Sequence, residues 1–534
     1  MKKIGSLFIG CGLLLAVAIV CANIASPQKS AEYGQTPTTK YGAFLAAQHA
    51  IYINDFDAAA AFGAALDSAD GAAVKNVRVL ADFLSGHMPD DASSMGKESG
   101  TPARLIYDAY LVEQGNWEKV YARHKNDNSA LVAPLRIWAS VAINHRTEAI
   151  KFVNSLETNA SWKSFVRGQI YAETGNVDKA AAEFSNVRVD FMNINDYLYM
   201  MSFYRHNELN ELADALRDEF TSRPGGMFML EYDDVPDWSN FSGPQNALAF
   251  SLVQNVSHTQ VMMYSDLSIL LLRFAQIISP VDSDKNAINY YIGQYFFNNK
   301  GDYKSYFTRV GRDSPFYLFA TLRAAENGGD VNDLRRILRA HPLFVPAMNK
   351  LVAHYIARGE KRVALRILRR AMKNENISDA SHAFLLKSRA QIYFAFGDFN
   401  NAQSDIHAAA DVLTLDPEIL ALQAKIWAAQ GREIDTAYEY AMMLVKRNPS
   451  DVFAWDVLGR VVASREGVDA ALELIERVGE VATECSSLFE NLGDLYVGVG
   501  ELQLARDAYM RAIDLSEDGF VVVPKIQDKI RKLK

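Results

Sequence analysis

At 534 residues the chain is too long for a single hydrophobic core, so it must form several domains or one extended array. Hydrophobic residues make up 49% and charged residues 22%, which excludes wholesale disorder. The formal net charge of -9 repels a phosphate backbone, so nucleic acid is not an expected partner. Residues 1–25 read as a targeting segment: Lys2 and Lys3 form a basic start, and an apolar run follows from Ile4 to Val20. Val20-Cys21-Ala22 then places small residues before a cut ahead of Asn23. The apolar run is long for a signal core and sits at the lower margin for a bilayer span. A cleaved signal peptide and a retained membrane anchor therefore both stay open. Lipidation is a third reading, opposed by Val20 ahead of Cys21 and by the short apolar stretch ahead of Cys11. On the two main readings the bulk of the chain is exported, periplasmic or membrane-associated, and the Lys-Lys start points to a bacterium. Cys485 is then alone in the mature chain, which excludes an intramolecular disulfide and fits a small buried hydrophobe. Residues 26–40, rich in Ser, Thr, Gln, Pro and Gly, read as a flexible tether.

From Tyr41 onward apolar helical patterns alternate with short turns. These stand at Asn54-Asp55, Gly115-Asn116, Gly175-Asn176, Gly301-Asp302, Gly359-Glu360, Gly397-Asp398 and Gly500-Glu501. So regular a return predicts an all-α solenoid of stacked helix-turn-helix units. Residues 41–221 make an N-terminal array, with Gly168, Tyr171, Gly175, Ala180 and Phe184 as its clearest unit. Residues 222–246 break the rhythm with Pro224-Gly225-Gly226, Asp233, Asp234, Asp237, Trp238 and Ser242-Gly243-Pro244. They read either as a joint between arrays or as a partner-binding loop. Degenerate repeats fill 247–344, and the pattern sharpens over 345–518. There stand Tyr355-Gly359-Ala364-Leu368, Tyr393-Gly397-Ala402-Ile406, and Trp455-Leu458-Gly459 with Ala471 and Ile475. The last unit holds Phe489, Leu492, Gly493, Tyr496, Gly500, Ala505, Tyr509 and Ala512. The small residues let two helices cross closely, and the tyrosines fill the space beside the crossing. Residues 519–534 form a basic tail or helix.

These residues at that spacing resemble the tetratricopeptide repeat family, and Gly493 follows Gly459 by that family's period. The resemblance runs from about Tyr41 to Asp518 and is strongest after Val345. It implies a superhelix that recognises proteins or peptides through a groove lined by the first helix of each pair. Carried over by position in each repeat, the groove residues are Asn349, Lys387, Gln391, Asp456, Arg460, Glu490 and Asp494.

No phosphate cradle, His-Glu-x-x-His or Cys-x-x-Cys appears, so neither catalytic residues nor a cofactor is expected. Asp282-Ser283-Asp284 begins like a calcium loop. Ala287 stands where glycine must bend the chain, however, and Gly293 stands where a carboxylate must close the shell, so no metal is expected. Charge is unevenly placed. From Asp330 to Lys373 there are 11 Lys or Arg and 3 acids, whereas from Asp405 to Asp518 there are 22 acids and 9 bases. Arg362, Arg366, Arg369 and Arg370 recur at helical spacing opposite Ala364, Leu368 and Ala371, which makes them either a solvated face or a contact for an acidic partner or lipid headgroups. The expectation is a non-catalytic interaction scaffold of the bacterial cell envelope. A membrane-anchored assembly factor or chaperone adaptor is the alternative, and an enzyme or regulatory subunit with its site at 222–246 ranks behind it.

Overall fold

The computed structural model describes residues 39–98, 100–129, 132–232, 235–258, 266–279, 285–326 and 331–533. The targeting segment, the tether through 38, Asp233, Asp234 and Asp282–Asp284 lie outside the described residues. Among the described residues every regular element is helical. No helix there is long and apolar enough to cross a membrane. The chain divides into two compact units, Met1–Ala213 with Val235–Ala324, and Asp214–Asp234 with Ala325–Lys534.

The first unit opens with helix pairs, among them Thr101–Glu113 with Trp117–His124 and Ala160–Glu173 with Val177–Phe184. Their Gly-Asn turns have a local cause. Gly115 and Gly175 take left-handed backbone at φ 67 and 71. Asn116 and Asn176 then cap the second helix, each accepting a backbone N–H at 3.3 Å. The later helices turn back along the earlier ones. Pro244–Ser257 packs on Ala133–Ala142, with Trp138 Nε1 donating to Ser251 Oγ at 2.8 Å. Asp266–Ile278 lies on Thr101–Glu113 and on Ala72–Leu84. Lys285–Asn298 reaches the first pair, where the Phe296 and Phe56 rings stand 5.5 Å apart and Tyr295 OH bonds Asn54 Oδ1 at 2.9 Å. Trp138, Leu248, Leu252, Leu271, Leu272 and Phe274 are fully buried by this return. Two stray residues of the sequence reading find their place here. Gly293 is a packing glycine, since a Cβ on it would sit 2.5 Å from the Phe307 ring. Trp238, in a short 3-10 turn, packs edge-on against Tyr199 and Phe203.

In the second unit we number the helices α1 (Val331–Ala340), α2 (Val345–Ala357), α3 (Lys361–Ala371), α4 (Asp379–Ala395), α5 (Phe399–Ala410) and α6 (Pro417–Gln430). Then follow α7 (Ile434–Arg447), α8 (Val452–Arg465), α9 (Val468–Val481), α10 (Ser486–Val499), α11 (Leu502–Asp514) and α12 (Val523–Lys532). From α2 to α11 consecutive helices pair, and α6, α8 and α10 also touch one another across the intervening helices. This explains their burial. The first helix of a pair meets neighbours on several sides, so α6 buries every residue from Ile419 to Ile426. The second helix meets neighbours on one side only, so α3 buries just Ala364, Leu368 and Ala371. The turn between α6 and α7 has three residues, as do those after α2 and α4, but uses two left-handed residues, Gly431 and Glu433. The 3-10 turn Met227–Glu231 joins this unit through Phe228 against Phe344 and through Glu231, which accepts the Leu343 N–H at 3.2 Å.

Candidate partner-binding surfaces

At the C-terminal pair the close crossing is carried by Gly493. A Cβ there would lie 2.3 Å from Tyr509 Cε1, so only glycine admits the ring. Tyr509 is 2% exposed, and its hydroxyl donates to Asp494 Oδ1 at 2.6 Å. Ala505 and Ala512 pack beside it, and Gly500 turns the chain at φ 85. The same relation joins Gly459 to Ile475, with a Cβ contact of 2.3 Å, and Gly168 to the Phe184 ring, at 2.4 Å. Residues 486–518 match the Tetratricopeptide repeat family. No curated protein matches the sequence. Several solved structures resemble the chain. A hetero-tetramer of the APC/C, Cut9–Hcn1, shares 14% identity over 93% of this chain and 96% of that one, with a TM-score of 0.34. A tetratricopeptide repeat protein from Parabacteroides merdae shares 13% over 55% and 99%, at 0.29. Yeast Tom70 shares 9% over 81% and 95%, at 0.27.

The positions carried over from the tetratricopeptide pattern fall into three settings. Asn349 is exposed and Gln391 half-buried. Lys387 is largely buried and pairs with Asp416 at 3.2 Å and Glu418 at 2.9 Å. Asp456 is fully buried in a charge cluster: Lys425 Nζ stands 3.1 Å from its Oδ2 and Arg460 Nε 2.9 Å from its Oδ1. Ser487 donates its hydroxyl to Asp456, and its backbone carbonyl accepts from Arg460 at 2.7 Å. Burial pushes the Asp456 carboxyl up, but the Arg460 and Lys425 charges and the Ser487 bond outweigh it and hold the group below the usual carboxylate range. A carboxylate so enclosed positions α6, α8 and α10 against one another. Glu490 and Asp494 form the third setting, and both meet Lys529 of α12, at 2.9 Å and 2.7 Å.

Arg362, Arg366, Arg369 and Arg370 are all exposed on α3, opposite its buried stripe. Arg370 also donates to the Arg339 carbonyl at 2.9 Å, which extends the basic face onto α1. Three participants lay beyond the sequence reading: Lys425, Ser487 and Lys529. Lys425 alone left a trace, as the one basic residue of α6. Cys485 is buried, and burial with the neighbouring Asp456 charge pushes its thiol up to about 12. Among the described residues no three His, Cys, Asp or Glu side chains gather as they would around a metal ion. Near the 222–246 segment the Gly243 N–H donates to Glu173 Oε2 at 2.6 Å, and burial pushes that carboxyl up to about 7.

Proposed function

We propose that this chain is a non-catalytic interaction scaffold of the bacterial cell envelope, exported through its N-terminal segment and binding partner proteins or peptides over its helical pairs. The observation that carries the reading is the packing from α2 to α11. Each second helix there is anchored by a narrow apolar stripe and leaves a broad face for contacts. The arginines of α3 are the charged part of that surface, and they favour an acidic partner or lipid headgroups. Cross-linking in intact envelopes, followed by recovery of the full chain and of the Arg362/366/369/370→Gln variant, tests it. Specific partners that are lost with the variant support the reading, and a chain recovered alone under both conditions overturns it. The membrane-anchored assembly factor or chaperone adaptor is the second reading. The apolar run Ile4–Val20 favours it, and the mass of the mature N-terminus decides between the two.

A further inference from the structure

The second unit contains a ligand of its own. After α11 the chain does not leave the array but crosses to its other end. Asp518 accepts the Ser486 N–H at 2.7 Å and so caps α10. Gly519 then lies against the backbone of Ala353 on α2, so tightly that a Cβ would come within 2.6 Å of the Ala353 Cα. The Phe520 ring stands 5.2 Å from Phe453 of α8, and Val521 and Val522 are buried. Pro524 rests on the Gly359 turn between α2 and α3. Lys525 Nζ donates to the Ala395 carbonyl at the end of α4, at 2.7 Å. Ile526 is fully buried, and Lys529 lies between Glu490 and Asp494. A single short segment thus touches α2, α4, α8 and α10, all of them first helices of their pairs.

We propose that residues 515–533 are a resident pseudo-ligand of this array, displaced when a partner presents a basic, aliphatic helical segment. The inference rests on the scaffold reading above and names the chemistry of the partner. Three observations support it. The helical end of the occupant matches its site by charge: beyond Asp518, Lys525, Lys529, Arg531 and Lys532 stand against a single acid, Asp528, and Lys529 meets the acids Glu490 and Asp494. Its grip is slight. Within α12 only Ile526 is buried, and Lys529 and Asp494 keep 33% and 42% of their side chains in water, where salt screens them. The α10–α11 crossing itself is made within the pair, by Gly493 against the Tyr509 ring, and Val521 and Ile526 of the tail add to the same core from outside it. A competing segment has to reproduce aliphatic groups at the positions of Val522 and Ile526, and lysines four apart as at Lys525 and Lys529.

The probe is a fluorescein-labelled peptide of residues 515–534, added to the full-length chain. A tethered occupant lowers the apparent affinity by the fraction of time the site is free, about 10- to 100-fold if the tail is bound 90–99% of the time. Ile526→Asp with Lys529→Glu should loosen the resident tail and raise peptide affinity by about that factor. Adding Glu490→Lys to the loosened chain should weaken the peptide again, most at low salt. Equal affinities for the unaltered and loosened chains, or indifference to Glu490→Lys, overturn the proposal. Hydrogen exchange on the unaltered chain guards against a variant that fails to fold. Amides of 523–532 should exchange faster than those of α10 and α11, and faster still with excess peptide. Tail amides as slow as α10, and unmoved by peptide, make the segment a permanent part of the core and equally overturn the proposal. A loosened chain that binds peptide but recovers no envelope partner leaves the pseudo-ligand standing and removes only the scaffold reading.

Discussion

Replacing Gly493 by alanine puts a methyl group where the Tyr509 ring already lies. The added carbon would meet Cε1 at 2.3 Å, Cδ1 at 2.4 Å and Cζ at 2.9 Å. Unstrained carbons rest about 3.5–4.0 Å apart, so the overlap exceeds an ångström. The ring cannot back away freely. It is 2% exposed, its hydroxyl is tied to Asp494, and the Lys529 ammonium sits 5.5 Å from its centroid. Overpacking of this kind costs about 3 kcal/mol at the upper end of its usual range. Alanine returns about 1 kcal/mol through its higher helix propensity. The net is about 2 kcal/mol, or roughly a 30-fold rise in the opening constant of the α10–α11 pair. Native-state hydrogen exchange on these two helices reads that constant, and in a linear array the loss should fade towards α2. Tyr509→Leu frees the space, so the double variant should be less destabilised than the two single changes together by at least about 1 kcal/mol. Slower exchange in the alanine variant would mean that propensity outweighs contact. Strict additivity with Tyr509→Leu would mean that the glycine does not serve the ring at all.

Asp456→Asn leaves Lys425 buried without its anion and should cost about 3–5 kcal/mol, read as faster exchange in α6, α8 and α10. Because the folded Asp456 carboxyl lies below its ordinary value of about 3.9, its contribution is complete above that pH and is lost as pH falls through the folded value. The asparagine variant should lack that acid-dependent loss in a denaturation series. Glu173 has the opposite sign: its carboxyl is pushed up from 4.5 to about 7, so ionisation opposes folding and the first unit should weaken as pH rises between those values. Glu173→Gln should flatten that profile and stabilise the unit at pH 8 by up to about 3 kcal/mol, and a wild-type melting temperature unchanged between pH 5 and pH 8 contradicts the reasoning. Changing Arg362, Arg366, Arg369 and Arg370 to Gln should shift stability by no more than a few tenths of a kcal/mol each, while flattening the salt dependence of any acidic partner's binding in titration calorimetry.

The helical class and the repeat glycines could be read because their causes are local. Gly168, Gly459 and Gly493 each face a side chain on the second helix of their own pair (Phe184, Ile475 and Tyr509), so a single unit of sequence holds both halves of the contact. What escaped reading involves partners from other units. The repeat pattern places Asp456 on the face that the family uses for ligands. It carries no sign of Lys425 one unit earlier or of Ser487 one unit later, and these two take up its charge inside the protein. The partner of Glu490 and Asp494 escaped likewise, because Lys529 approaches them from a tail with no repeat of its own. A metal-loop template misplaces Gly293, whose role is to admit Phe307 on the short helix that follows. The return of 244–298 along the earlier helices left no mark on the hydrophobic period, which reports that a face is covered and not what covers it.

That return changes what kind of object the first unit is. An array with only neighbour contacts can nucleate at any unit and fray from either end. Here Tyr295 bonds Asn54 across 241 positions of sequence, and the chain must close that loop before the contact forms. High contact order of this kind slows folding and couples the two ends into one cooperative event. It also constrains how the unit can have diverged. Loss or duplication of a single helical pair between Thr101 and Phe184 would leave every returning helix opposite the wrong neighbour. Changes in length are therefore tolerable only in matched pairs, one on the outward run and one on the return.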